Sequence, residues 1–293
     1  TAVKILVIDA STGLGGGQRW SRDFSAWLAR RHETSFDTTS LRCNEPFDVC
    51  FDMRPVGLPL FAKKHYTWCH VPLSPTNTEN LHQTQIIASS KWSHDLIKTA
   101  WGLNSTVIMP YGKPRSRPNI QKEGILFFGR LTNPKGVMNA IEIYRRGKFD
   151  APMTVAGATW SSPKDFLEMV RKECKELGIQ LIEDPEESSI QKLYEDHNVF
   201  LQTAGWRAGP PEAFGLAVAD AYLSGLEIVA YPAGAVIEWL PKDNWASSFD
   251  EFVAKTKTAL VSKTPPDLDV CLNISEYGFE ERVKGSLPCL LKP

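Results

Sequence analysis

Along this chain, short apolar runs alternate with longer stretches whose apolar positions recur at helical spacing. Val3–Asp9, Asp48–Met53, Tyr66–Val71, Gln85–Ala88 and Thr106–Met109 form a first series of predicted strands. Gly124–Gly129, Met153–Ala156, Gln180–Ile182, Val199–Gln202 and Glu227–Ala230 form a second. Helices are predicted over Gln18–Arg31, Trp92–Trp101, Gly136–Arg146, Pro163–Leu177, Ser188–Asp196 and Ala213–Ser224. The strands are nearly continuous in apolar character, as strands covered by helices on both faces must be. Alternation of this kind predicts an α/β protein with parallel sheets.

The pattern breaks over Gly112–Gly124, which holds Gly112, Pro114, Pro118 and four basic residues without apolar periodicity. That composition predicts a linker. Two domains follow, 1–118 and 119–275, and the tail 276–293 is predicted as a helix that packs back on the first. A length of 293 residues suits two domains.

Composition narrows the class. No apolar run approaches the roughly 18–20 residues of a membrane span, and the chain enters its first strand at once, so no signal peptide is expected. The six cysteines, at 43, 50, 69, 174, 271 and 289, form no Cys-x-x-Cys pair. They fit reduced thiols in a cytoplasmic protein better than a disulfide framework or a zinc site. Formal charge is −1 overall, but +5 through residue 121 and −6 beyond it. The basic half is compatible with an anionic acceptor or peripheral membrane contact, and equally with a solvated face. No nucleic-acid partner is expected.

Three motifs carry candidate chemistry. Gly13-Leu14-Gly15-Gly16-Gly17 joins the first strand to the first helix. Glycines there allow close ligand approach, and a helix N-terminus favours a diphosphate. The alternative is a tight strand-to-helix turn. Gly129-Arg130-Leu131-Thr132-Asn133-Pro134-Lys135-Gly136 follows a predicted strand, at the sheet edge where open α/β folds bind ligands. Arg130 would grip a diphosphate as a planar fork and Lys135 as a point charge; the alternative is two solvated cations. Pro211-Glu212-Ala213-Phe214-Gly215-Leu216, followed by Asp220, spaces two acids by about two helical turns. They can meet sugar and ribose hydroxyls, or they can be a helix-start acid and a surface acid.

The order of these motifs is similar to that of retaining glycosyltransferases of the GT-B fold, glycosyltransferase family 4. Ile125–Gly136 and Leu193–Trp239 carry most of the likeness; Gly15-Gly16-Gly17, Ser89-Ser90 and Val107–Gly112 add to it. The resemblance implies two Rossmann-like domains facing across a cleft, with a nucleoside diphosphate sugar as donor and a glycan, lipid-linked or protein-linked hydroxyl as acceptor. It implies that Gly15, Gly16, Gly17, Arg130 and Lys135 hold the diphosphate, between the glycine loop and the two cations. Glu212 would stand against the transferred sugar, Asp220 would bind ribose, and the amides of Phe214, Gly215 and Leu216 would face sugar and phosphate. His70, after the strand Tyr66–Val71, matches a donor-sugar histidine; the alternative is a structural histidine. The catalytic set is then Glu212, His70, Arg130 and Lys135. Asp220 is one methylene shorter than the family's Glu, Ala213 stands where Gly is common, and the first domain is short.

Asp267-Leu268-Asp269 resembles a metal-holding Asp-x-Asp, but it follows Pro265-Pro266 far from any strand end. It is predicted to be a loop, and neither metal nor cofactor is expected. A nucleotide-sugar epimerase and a non-catalytic sugar-nucleotide or glycan-binding module remain as alternatives.

Overall fold

The computed structural model describes residues 3–9, 16–37, 47–54, 62–72, 79–116, 123–207, 209–262 and 264–291. Gly15, Cys43 and the linker residues 117–122 lie outside them. The chain forms two compact units: residues up to Pro110 together with those from Tyr277, and Tyr111–Glu276.

The first unit contains β1 (Lys4–Ile8), α1 (Gly16–Ala29), β2 (Glu33–Asp37), β3 (Phe47–Asp52), β4 (Ala62–Cys69), β5 (Gln85–Ala88), α2 (Lys91–Trp101) and β6 (Thr106–Val107). Its six strands are all parallel, in the order β2-β1-β3-β4-β5-β6. β1 is buried from Ile5 to Ile8 because strands flank it on both sides. β2 had no place among the predicted strands. It reads Glu-Thr-Ser-Phe-Asp, largely exposed, since an edge strand pairs on one side only.

The core of this unit is aromatic. Trp20, Phe24 and Trp27 line the buried face of α1 at helical spacing. Phe24 packs against Phe51 and Trp68 with ring centroids 4.9 and 5.0 Å apart. Phe279, from the last helix of the chain, inserts edge-on against Trp20 at 5.3 Å and Trp27 at 5.1 Å. Beside it, Glu280 accepts from Trp27 Nε1 at 3.1 Å and Arg31 at 2.6 Å. Half-buried Arg282 donates to the carbonyls of Met109 and Pro110. Burial pulls its guanidinium down to about 10, which leaves it charged at neutral pH.

The second unit contains β7 (Ile125–Phe128), α3 (Val137–Gly147), β8 (Met153–Gly157), α4 (Lys164–Leu177), β9 (Gln180–Glu183), α5 (Glu187–Asp196), β10 (Val199–Gln202), α6 (Leu216–Leu223), β11 (Glu227–Ala230), α7 (Phe249–Val261) and α8 (Leu268–Ile274); α9 (Glu276–Ser286) then carries the chain into the first unit. The strands are again parallel, ordered β11-β10-β7-β8-β9. The core is mainly aliphatic, with Ile125, Ile141, Ile143, Val155, Val170, Val199 and Leu201 buried between the layers.

Helices α7 and α8 were not among the predicted elements. α8 explains the Asp-x-Asp motif: Asp267 is its N-cap and accepts from the amides of Asp269 and Val270 at 2.8 and 3.2 Å. Lys113 and Arg115 bond into the second unit, which places the crossing at Pro110–Tyr111, ahead of the expected boundary after residue 118.

Candidate functional site

In the second sheet the chain runs outward from β7 through β8 to β9, then returns to build β10 and β11 on the other side of β7. The loops leaving the carboxyl ends of β7 and β10 therefore diverge, and a crevice between such loops is where open α/β sheets take ligands. Both central motifs of the sequence lie on these two loops.

The loop after β7 ends in a 3₁₀ turn, Asn133–Lys135, and passes through Gly136 into α3. Gly136 has φ 74°, and a Cβ there would lie 2.3 Å from the Thr203 carbonyl oxygen. Only glycine permits both the backbone angle and this approach. Thr203 Oγ1 donates to the Gly136 carbonyl at 2.8 Å, tying the two loops together. Lys135 Nζ consequently lies 2.5 Å from Glu212 Oε1, with both side chains partly buried.

Glu212 is held through its backbone as well. Its carbonyl accepts from Ala235 N–H at 2.9 Å. The Phe214 carbonyl accepts from Trp239 Nε1 at 3.2 Å. Gly215, at φ 88°, starts α6 without a side-chain cap, and the first turn of α6 carries no acid. The first amides of α6 have no intrahelical acceptor, so the loop Glu212–Leu216 ends at a positive helix end.

Arg130 shares the β7 loop but leans elsewhere. Its guanidinium lies over the Trp160 ring, 5.7 Å from the centroid, with Nη1 3.5 Å from Ser161 Oγ. Trp160 is 53% exposed on a loop fixed from both sides. Thr159 donates through N and Oγ1 to Asp184 at 2.8 and 2.5 Å, and Ser162 Oγ donates to Leu131 O at 2.7 Å. Sequence reasoning passed over Trp160; its only signal was a tryptophan in a polar strand-to-helix loop.

Asp220 lies one turn into α6. Its side chain is buried, Oδ1 accepts from Lys113 N–H at 2.8 Å, and Oδ2 accepts from Arg115 Nε at 3.0 Å. Arg115 also pairs with Glu187, and its amide donates to Ser224 Oγ at 2.7 Å. In this structure Asp220 anchors residues 113–115 to α6.

In the first unit, His70 follows β4 and lies over the start of α1. A Cβ at Gly17 would meet its Cδ2 at 3.6 Å and its Nε2 at 3.7 Å, so the absence of a side chain at Gly17 leaves that face of the ring clear. Gly16 begins α1 beside it. His70 Nδ1 lies 2.5 Å from Ser89 Oγ, and the His70 carbonyl accepts from Ser93 Oγ at 2.6 Å. Nε2 is buried and, among the described residues, has no hydrogen-bond partner. Burial pushes the imidazole from its ordinary 6.5 down to about 4, so it is neutral at pH 7.

No protein-family model matches this sequence, and no curated protein matches it. Solved structures do match. Along 98% of this chain and the whole of the other, the Anabaena protein Alr3699/HepE in complex with UDP and glucose superposes with a TM-score of 0.72 at 15% identity. AviGT4, a glycosyltransferase involved in avilamycin A biosynthesis, gives 0.68 at 17% identity over 99% of both chains. The lipopolysaccharide outer core galactosyltransferase WaaB in its apo form gives 0.65 at 13% identity, over 98% of this chain and 99% of that one. The fold is GT-B.

Within that fold the structure brings Lys135, Glu212 and the start of α6 together in one unit, and His70, Gly16 and Gly17 together in the other. Among the described residues, no group of three or more His, Cys, Asp or Glu is arranged to hold a metal ion. Also among them, no helix is long and apolar enough to cross a membrane.

Proposed function

We propose that this protein transfers a sugar from a nucleoside diphosphate sugar to a hydroxyl on a glycan, lipid-linked or protein-linked acceptor, with retention of anomeric configuration. The observation that carries the reading is the Lys135–Glu212 pair beside the uncapped start of α6, at the divergence of β7 and β10. Similarity to the Anabaena protein Alr3699/HepE, solved with UDP, UDP-glucose and glucose, and to the glycosyltransferase AviGT4 supports it.

When the bond at the anomeric carbon breaks, negative charge grows on the departing diphosphate. Lys135 and the α6 amides supply fixed positive potential for that charge, a preorganised source of rate. Arg130, swung from Trp160, adds a bidentate grip. Glu212 is released from Lys135 as the diphosphate takes over the cation, and its carboxylate then meets the sugar hydroxyls. His70, in the first unit, offers a neutral hydrogen-bond donor to a nucleotide sugar. The acceptor hydroxyl attacks from the face the diphosphate leaves, which retains the configuration. The chemistry runs without a divalent metal, because protein cations and helix amides do the neutralising. A cytoplasmic location, with membrane contact through the basic first 121 residues, fits the charge distribution.

Calorimetry with a panel of nucleoside diphosphates and their sugars tests the assignment. One member binds, and the Arg130→Ala/Lys135→Ala double variant loses that binding. Unchanged affinity would remove the site. Donor turnover that needs no acceptor and yields an altered sugar nucleotide would replace transfer by epimerisation. Transfer persists in excess chelator; complete loss restored by added metal would refute the metal-free mechanism.

A further inference from the structure

Ser89 is fully buried, at the turn between β5 and α2. Among the described residues its hydroxyl meets two groups, Trp68 Nε1 at 2.9 Å and His70 Nδ1 at 2.5 Å. An indole nitrogen can only donate, so Trp68 occupies a lone pair of the Ser89 oxygen. The Ser89 proton is then left with one acceptor, His70 Nδ1. A neutral imidazole whose Nδ1 accepts carries its proton on Nε2.

Each part of this chain is held in place. The Trp68 ring is wedged 5.2 Å from Trp20 and 5.0 Å from Phe24, which sets the direction of its N–H. Ser90 caps α2 by accepting from Ser93 N at 3.0 Å, and Ser93 Oγ fixes the His70 carbonyl. The turn Ser89–Ser93 therefore secures both the ring and the backbone of His70. Among the described residues, Nε2 is left without a partner; it is buried and faces the Gly17 backbone. A buried N–H with no acceptor costs free energy in the empty protein, so its retention points to a ligand that supplies one.

We infer that Ser89 is a positioning residue: it locks His70 as an Nε2–H donor, and so restricts the group His70 recognises to a lone-pair oxygen of the bound nucleotide sugar. The nature of the ligand rests on the function proposed above; the state of the ring does not.

The test is long-range proton–nitrogen NMR on the full chain labelled with ¹⁵N-histidine, with His70→Gln used to assign the resonance. At pH 7, without ligand, His70 shows a protonated Nε2 and an unprotonated Nδ1. UDP-glucose shifts Nε2 and leaves Nδ1 in place. Ser89→Ala gives nitrogen signals averaged between the two tautomers and about a tenfold loss of donor affinity, the worth of one hydrogen bond. Ser89→Thr, which keeps the hydroxyl, restores both. A protonated Nδ1 in the wild type overturns the inference. So does a Ser89→Ala protein that melts earlier but keeps the wild-type nitrogen pattern, since Ser89 is then only a packing residue. Should Ser89→Ala fail to fold, the wild-type spectrum and Ser89→Thr still decide. If the tautomer is as assigned but no nucleotide sugar binds, the functional reading fails and the assignment of Ser89 stands.

Discussion

Both units are parallel α/β sheets, with different strand orders, and they carry opposite chemistry. In the second, charge is placed where β7 and β10 diverge: Lys135 and Glu212 form a close pair against the positive end of α6. In the first, the group presented at the end of β4 is uncharged, a half-buried imidazole that desolvation pushes down to about 4, wired through Ser89 into an aromatic core. A charged pair on loops can exchange partners when an anion arrives, so it suits a diphosphate whose charge grows during reaction. A neutral donor held by buried hydrogen bonds cannot exchange anything; it suits recognition of one fixed oxygen. The difference should appear as a division between catalytic and recognition effects, and three perturbations measure it.

The largest effect is expected from Glu212→Gln. The shape is kept, while the charge that pairs with Lys135, and that the proposed function sets against the sugar, is removed. Transfer should fall about 10²–10³-fold, chiefly in kcat, the range typical of deleting one preorganised electrostatic group. Steady-state kinetics on protein of unchanged melting temperature decides. A normal kcat would dissolve the contrast between the two halves by leaving the charged one without a catalytic role.

The next effect is on stability and tests the neutral half. The His70 imidazole titrates near 4 in the folded protein and near 6.5 in the unfolded chain. Between those values the unfolded chain binds more protons, so folding stability rises with pH there. The contribution is fully present above about 6.5 and is lost as pH falls toward about 4. His197 is also lowered by burial and contributes with the same sign, so the informative quantity is a difference. Relative to His70→Gln, the wild type should lose melting temperature progressively from pH 6.5 to pH 4. Parallel pH profiles for the two proteins would mean that His70 is not held neutral.

Much of this arrangement was legible in the sequence. The parallel strands announced themselves because burial on both faces leaves near-continuous apolar runs such as Ile125–Phe128. β2 did not, because an edge strand can afford Glu33, Thr34 and Ser35. The charged half was visible because it sits in local motifs, Arg130–Gly136 and Glu212–Leu216, whose residues are close in sequence. The roles of Ser89 and Trp68 were not, since their connection depends on strand register: β4 and β5 pair Trp68 with Ile87, which brings Ser89 within reach of both Trp68 and His70. Arg115 was hidden for a related reason. It lies in a stretch without periodicity, and its partner Asp220 is 105 positions away.

Asp220 gives the smallest expected effect on turnover and the sharpest separation from Glu212, although the two share one short segment. Resemblance to the glycosyltransferase motif implies ribose contact, so that Asp220→Asn would raise the donor KM and leave stability alone. The structure implies the reverse. Both carboxylate oxygens accept, one from Lys113 N–H and one from Arg115 Nε, in a buried site. An asparagine keeps one acceptor oxygen; its amide nitrogen must then face one of those two donors, and a donor opposite a donor leaves both unsatisfied. Glu187, a further partner of Arg115, is largely exposed and offers little compensation. Loss of one buried charge-assisted bond amounts to about 1–3 kcal/mol, and melting temperature falls roughly 2–4 °C per kcal/mol for a domain of this size. Asp220→Asn should therefore melt several degrees lower while keeping wild-type kcat and donor KM per folded molecule. A raised KM at unchanged melting temperature would return Asp220 to the ribose and require the Arg115 bond to break when the donor binds.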